Sequence, residues 1–349
     1  MPDRKFFTRG LLKWNKYDND RVMPWKYEKD PYKIWISEII LQQTRVDQGL
    51  EYYNRFIKKY PDAKSIAIAP EAEVFKMWEG LGYYSRCKNL IATAKYISNE
   101  AEGKFPDTYF DILQLKGVGS YTASAIASFA YNLPYAVLDG NVYRVLSRYF
   151  GIDAPIDNPT GKKIFTELAF ELLDKKQPAI YNQSIMDFGA TVCKPLPLCE
   201  ICPLKSRCVA YLNNLQLVFP VKEKKIIRKS RWLYYLVVNY QNKFYVRKRE
   251  QKDIWQNLYE FILIETVGPL TIKKLQSTKE FKIIFKKIVV NIESGSPVFK
   301  QQLTHQTING QFIKISIPSP LAINSHQLVS SKKIKQLPFP KFIANYLKD

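Results

Sequence analysis

Four of the five cysteines of this 349-residue chain crowd into one short stretch, Cys193, Cys199, Cys202 and Cys208, with five, two and five residues between them. Four thiols this close force the backbone around them into a single compact loop, and unligated buried cysteines seldom gather at such density. A reducing compartment disfavours a disulfide framework and leaves a metal centre as the natural reading. A structural zinc site draws two Cys-x-x-Cys knuckles from separate segments, whereas loop 193–208 contains one such knuckle inside one loop. The spacing therefore favours a 4Fe-4S cluster held by Cys193, Cys199, Cys202 and Cys208, with zinc open as the alternative. Lys194, Lys205 and Arg207 lie inside the loop and suggest a phosphate-facing surface.

Around this loop the chain changes texture once. From residue 30 to about 192, apolar residues recur at three- and four-residue spacing between Gly, Pro and Asp/Asn stops, a helical pattern in which Asp30-Pro31 starts a helix. After the cysteines, Phe219-Pro220 and the basic run Lys222 to Arg231 read as a linker. Beyond it, Trp232 to Tyr240, Phe244 to Arg249, Tyr259 to Thr266 and Phe312 to Ile317 are short, aromatic and β-branched, as strands of a mixed α/β domain are. The expected division is a helical domain over 1–216, a basic linker over 217–230 and a mixed domain over 231–349. At this length, with 46% apolar residues, two cores are affordable.

The chain carries 53 Lys and Arg against 32 acidic residues, a formal charge of +21, which is the footprint of a partner rich in phosphates. No apolar run suffices for a membrane span and the first residues hold no signal core, so no membrane partner and a cytoplasmic location are expected. His305 and His326 are the sole histidines and both lie late in the chain, so acid–base chemistry in the helical part must use carboxylates, Tyr, Lys or Cys.

Two segments can carry such chemistry. In Leu115-Lys116-Gly117-Val118-Gly119-Ser120-Tyr121, Gly117 and Gly119 permit a tight turn that aims main-chain N–H groups at an anion, within a hairpin expected over 113–130; an ordinary helix–helix turn explains the glycines about as well. Glu38, in Trp35-Ile36-Ser37-Glu38-Ile39-Ile40-Leu41-Gln42-Gln43-Thr44, is a carboxyl among apolar neighbours, and burial there raises its pKa toward that of a general acid. A solvent-satisfied Glu at a helix edge is an equal reading of that segment. Asp139-Gly140-Asn141 is also a plain turn and helix-start sequence.

Taken together, Pro24-Trp25, Ser37-Glu38 through Thr44, Gly80-Leu81-Gly82-Tyr83-Tyr84-Ser85-Arg86, the Gly117–Tyr121 hairpin, Leu138 to Val142, Asn182-Gln183 and the cysteine loop stand in an order that resembles the endonuclease III superfamily, and more closely its adenine-specific MutY branch. The resemblance covers nearly the whole chain. It implies a mostly α helix-hairpin-helix DNA glycosylase domain with an iron–sulfur loop, followed by a mixed α/β Nudix-like domain. Strand-cleaving members carry a Schiff-base lysine two residues after the second hairpin glycine, and this chain has Tyr121 there. The resemblance thus implies a monofunctional enzyme that flips adenine out of duplex DNA containing A:8-oxoguanine or A:G mispairs and leaves an abasic site.

It also distributes roles. Glu38 protonates the base, Asp139 stabilises the positive sugar or bonds to it, Tyr121 supports that state and Asn141 orients Asp139. Trp25, Lys26, Leu41, Gln43, Thr44, Tyr83, Gly117, Gly119 and Asp187 are expected at the base pocket and DNA surface, with Trp25, Leu41 and Asp187 lining the pocket, and Gln43 with Tyr83 entering the opened stack. Lys26 stands where Arg is more frequent, Asp187 where Glu is common, and the gap after Cys193 is one residue shorter than in the family. In the second domain Trp255 to Phe261 and Leu303-Thr304-His305 resemble Nudix-like segments, and Thr304 with His305 is expected to recognise oxidised guanine. A monomer is expected. The rival readings are an endonuclease III-like glycosylase-lyase on oxidised pyrimidines and a non-catalytic iron–sulfur DNA-binding protein.

Overall fold

The computed structural model describes residues 3–223, 227–286 and 288–348. The backbone divides into two compact units, one of Met1–Ile68 with Ala92–Lys224 and one of Ala69–Ile91 with Lys225–Asp349.

The first unit is helical, and its helices begin where the sequence supplies caps. Asp30 accepts the Tyr32 N–H at 2.9 Å and Pro31 occupies the first turn of the helix Pro31–Leu41, where its missing N–H costs nothing. That helix is apolar nearly all round, and Ile34, Trp35, Ile36, Ile39 and Ile40 are buried with it. Gly117, at φ +83°, turns the chain between the helices Tyr109–Gln114 and Ser120–Tyr131. A second core joins Phe7, Leu11 and Trp14 of the helix Arg4–Tyr17 to Val145 and Leu146 of the helix Gly140–Phe150, and Cys193, Cys202 and Cys208 pack against its edge.

The expected linker is partly fastened. Phe219 O accepts from Arg148 Nε (3.1 Å), Val221 O from Ile156 N (3.1 Å), and Glu223 N donates to Asp157 Oδ1 (2.9 Å), so 217–223 belongs to the helical unit. Residues 224–226 lie outside the described residues.

The second unit is a mixed sheet of β1 (Lys229–Tyr240), β2 (Lys243–Lys248), β3 (Tyr259–Thr266), β4 (Asn291–Gly295), β5 (Phe299–Gln302), β6 (Gln306–Ser316) and β7 (Gln327–Ser330). The order is β4-β6-β1-β3-β2-β7 with β5 also on β6, and β1 runs parallel to β6 with Tyr235 opposite Phe312 and Val237 opposite Lys314. Alternation sorts the residues by face. Tyr234, Leu236 and Val238 pack with Ile313 and Ile315 against Leu275, Phe281 and Phe285 of two short helices. Tyr235, Val237, Phe261 and Phe312 point the other way, where Phe339 and Phe342 meet them. The expected boundary misses 69–91, which joins this unit because Lys76 Nζ donates to Leu337 O (3.1 Å), Phe339 N to Glu79 Oε2 (3.4 Å), and Tyr83 Oη lies 2.6 Å from Thr304 Oγ1.

Candidate active site

The helical unit encloses a cavity of about 520 Å³, within the size range of small-molecule sites. Three of its lining residues come from three separate elements: Glu38 from the Pro31–Leu41 helix, Tyr121 from the first turn after the Gly117 turn, and Asp139 from the cap of the next helix. Each element delivers its residue for a local reason. Glu38 is on the helix that is buried on almost every side, and is itself 7% exposed. Asp139 is the N-cap of Gly140–Phe150, with Oδ1 accepting from Val142 N at 2.7 Å and Oδ2 from Asn141 Nδ2 at 2.8 Å.

Burial dominates the titration of all three. Loss of water raises the Glu38 carboxyl to about 7, and the neighbouring Asp139 charge adds to the rise, while the hydroxyl that Tyr121 donates to it acts in the opposite direction. Desolvation also raises Asp139, opposed by the Val142 and Asn141 donors and the Arg144 charge. Tyr121 is pushed well above its ordinary value by burial and by the charges of Glu38 and Asp139, so it stays a donor. The site therefore keeps one carboxyl poised to carry a proton near neutrality beside a capped carboxylate. No lysine lines the cavity among the described residues.

Trp25, Leu41, Gln43 and Thr44 line the same cavity. Gln43 has φ +56° and Tyr83 φ +45°, a left-handed backbone in two residues without the freedom of glycine. Asn141 also lines the cavity and passes its hold on Asp139 to Arg144, whose Nη2 donates to Asn141 Oδ1 (2.7 Å) and to Gly189 O (2.7 Å) and whose Nε donates to Cys193 O (2.9 Å). Gly189 is required there, because a Cβ on it would sit 2.7 Å from Asn141 Cβ.

Asp187 departs from expectation. It is fully buried and does not line the cavity; Gln183 and Met186, on the same helix Pro178–Thr191, do. The physical reason is its set of donors: Arg21 Nη1 (2.8 Å) and Gln183 Nε2 (2.9 Å) on Oδ1, Asn19 Nδ2 (2.9 Å) and Lys26 Nζ (3.2 Å) on Oδ2. Four donors fill the four acceptor positions of the carboxylate. Lys26 likewise turns away from the cavity, with Nζ also bonded to Arg21 O at 2.8 Å. Because an ionised carboxylate only accepts, the Gln183 amide nitrogen is committed to Asp187 and its carbonyl oxygen is left for the cavity. Sequence reasoning quoted Gln183 within the Asn182-Gln183 match but gave it no place at the site, and it missed Arg21, four residues before Trp25. Asn182 is a buried clip, bonding Ser128 Oγ, Tyr135 O and Val137 N and so fixing the chain that leads to Asp139.

The four cysteines lie around two short 3-10 turns, Cys199–Ile201 and Lys205–Arg207. Arg148, 3% exposed, donates to Lys194 O (2.6 Å) and Pro195 O (2.9 Å) and reaches Cys193 Sγ at 3.5 Å. Burial and the other cysteines push Cys202 up to about 12. Arg207 pairs with Asp3 at 2.6 Å and Lys205 approaches Glu200 at 3.7 Å, which leaves less free positive charge on the loop than its sequence implies. In the second unit Thr304 meets Tyr83, and Lys229 N donates to His305 O at 3.0 Å. No helix among the described residues is long and apolar enough to cross a membrane.

Two family models match. The HhH-GPD superfamily of base excision DNA repair proteins covers residues 36–170, which hold Glu38, the Gly117 turn, Tyr121 and Asp139, and a NUDIX domain covers 233–349. Among solved structures, a thermostable thymine-DNA glycosylase aligns with TM-score 0.56 at 32% identity, over 60% of this chain and 97% of its own. An endonuclease III–DNA complex, at 20% identity and TM-score 0.54 over 62% of this chain and all of its own, shares the fold. The human adenine DNA glycosylase is 40% identical over 215 residues, 58% of this chain and 39% of its own length. The adenine DNA glycosylase of Buchnera aphidicola subsp. Schizaphis graminum is 37% identical over 310 residues, 87% of this chain and 85% of its own. A likeness of that extent along both chains shows the family: the chain belongs to the adenine DNA glycosylases, base excision repair enzymes of the HhH-GPD superfamily.

Proposed function

We propose that this adenine DNA glycosylase is monofunctional and removes adenine paired with 8-oxoguanine or guanine in duplex DNA. The observation that carries the proposal is the meeting of Glu38, Tyr121 and Asp139 in one cavity that, among the described residues, no lysine lines. The target adenine is flipped into the cavity, since its glycosidic bond is out of reach inside the stack. The Gln183 carbonyl oxygen, held by Asp187, accepts from the exocyclic amine of adenine and would repel the exocyclic oxygen of guanine. Glu38, raised to about 7, gives its proton to N7, and the C–N bond breaks with its electron pair leaving on a neutral base. Asp139 stabilises the positive sugar or bonds to it, held in place by Val142 N and Asn141. Tyr121 donates to Glu38 as it becomes a carboxylate. Water then attacks the sugar, Glu38 takes its proton back, and an abasic site remains.

Cys193, Cys199, Cys202 and Cys208 are the proposed ligands of a 4Fe-4S cluster, which when bound supplies a structural link across the loop. Their chemistry fits the group. Their four sulfurs come from one compact loop, and three of the four cysteines pack against an apolar core that shields a cluster from water. Thr304 and His305 are the proposed readers of the opposite oxidised guanine, with the left-handed Tyr83 and Gln43 as the residues that enter the stack. Action in the cytoplasm as a monomer completes the reading.

Incubation with A:8-oxoguanine, A:G and A:T duplexes, resolved with and without alkali, tests it. The expected result is product only after alkali, in the first two duplexes. Strand breaks without alkali at the rate of adenine release, or trapping by borohydride, point to a lyase, and binding without release points to a non-catalytic protein.

A further inference from the structure

The mechanism leaves one strained residue of the helical unit without a task. Tyr27 has φ +69°. It stands third in a turn closed by the hydrogen bond from Glu28 N to Trp25 O (3.2 Å), the position at which a positive φ ordinarily calls for glycine or asparagine. Asn132 and Asn214 hold left-handed backbone at little cost, and Gln43, which also holds it, lines the adenine cavity. A bulky ring in that conformation costs the fold free energy, and nothing in the folded chain recovers it. The side chain of Tyr27 is 68% exposed, and its sole ring contact among the described residues is the Lys26 ammonium, 5.4 Å from the centroid.

The turn is fastened beside the cavity. Lys26 N donates to Met23 O (3.0 Å), and Lys26 Nζ is tied behind the turn to Arg21 O (2.8 Å) and Asp187 Oδ2 (3.2 Å). Arg21, Met23 and Trp25 line the cavity, while Val22, Pro24 and Tyr27 of the same segment are exposed, Val22 to 90%. Residues 21–27 thus form a rim, with one set of side chains turned into the cavity and an apolar set left outside it. An adenine in the cavity stays bonded to its strand, so the nucleotides next to it pass this rim. A ring held out on a rigid turn offers one of them a stacking face with little left to order on binding.

We propose that Tyr27 packs against the nucleotide next to the extruded adenine on the same strand, and that the left-handed turn is kept for this contact. The inference rests on adenine entering the cavity of Glu38.

The test places Tyr27→Gly, Tyr27→Asn and Tyr27→Phe in the full chain carrying Glu38→Gln, so that the duplex is held uncut. Fluorescence anisotropy reads affinity for an A:8-oxoguanine duplex and for a fully paired one, and urea titration reads the fold. Glycine and asparagine both suit the turn, so neither variant should unfold at a lower urea concentration than the chain with Tyr27. Both should nevertheless bind the mispaired duplex about tenfold more weakly, with an unchanged salt slope because no charge is removed. Tyr27→Phe keeps the stacking face and should restore the affinity. The paired duplex offers no extruded base, and its binding should change less than about twofold. Undiminished affinity in Tyr27→Gly and Tyr27→Asn overturns the proposal, as does a lowered urea midpoint in both, which makes the ring a structural lid. Equal weakening on the two duplexes, or no rescue by phenylalanine, overturns it as well. Adenine release is measured separately with Glu38 intact: its absence overturns the reading of the cavity and this inference with it, whereas release together with unaltered binding by the variants overturns this inference alone.

Discussion

Replacing Glu38 by Gln should stop excision and at the same time stabilise the protein at alkaline pH, and the two effects have one cause. The folded carboxyl titrates at about 7 against an ordinary 4.5, because burial withholds the water that a carboxylate needs. Below pH 4.5 the folded and unfolded chains both hold the proton. Between 4.5 and about 7 the unfolded chain releases it and the folded chain does not, so stability falls by about 1.4 kcal/mol per pH unit. Above about 7 the loss is complete, about 3 kcal/mol in all. Glutamine cannot ionise and escapes it. Urea titrations of parent and Glu38→Gln at about pH 4.5 and about pH 8 give a double difference that cancels whatever the amide itself changes. Parent excision under single turnover should meanwhile lose about tenfold per unit above pH 7, as the acid form empties. A double difference near zero, or an excision rate flat to about pH 9, refutes the claim that Glu38 is a desolvated acid.

Gly189→Ala should cost about 1–3 kcal/mol, since its Cβ meets Asn141, and should slow excision while duplex binding persists; a melting curve and an excision assay read the two. Asp187→Asn leaves the half-buried Arg21 and Lys26 without their counter-charge, and a loss of about 2–4 kcal/mol in urea unfolding is expected. Arg148→Met strips donors from the carbonyls of Phe219, Lys194 and Pro195; about 3 kcal/mol or more is expected to go, and protease should cut the cysteine loop faster.

Much of the candidate site was readable in the chain, and the reason is local. Glu38 sits in a run of apolar residues, and Asp139 precedes Gly140 in a capping pattern, so burial and cap could both be expected. Depth could not. Asp187 and Gln183 lie four residues apart on one helix, and nothing in that spacing says which reaches the cavity and which is sealed behind it by Arg21, Lys26 and Asn19. Arg144 and Arg148 drew no attention in the sequence, yet both turn inward to main-chain carbonyls, a role set by tertiary packing. In the second unit, β1, β2 and β3 were legible from their β-branched and aromatic runs. The short polar strands β4, β5 and β7 were not, because their stability comes from pairing with β6 and β2. The attachment of 69–91 to that unit rests on contacts more than 200 residues away in sequence, such as Lys76 with Leu337.

The cap at Asp139 bears on how this enzyme can fail. The carboxylate proposed to meet the sugar is also the group that starts the Gly140–Phe150 helix, and a cap tolerates Asn as well as Asp. On the role proposed for Asp139, a single-base lesion in the gene that exchanged one for the other would leave a folded protein unable to act on its base. Such a product would escape the proteases that clear misfolded chains, so the defect would show in an excision assay and not in the amount of protein.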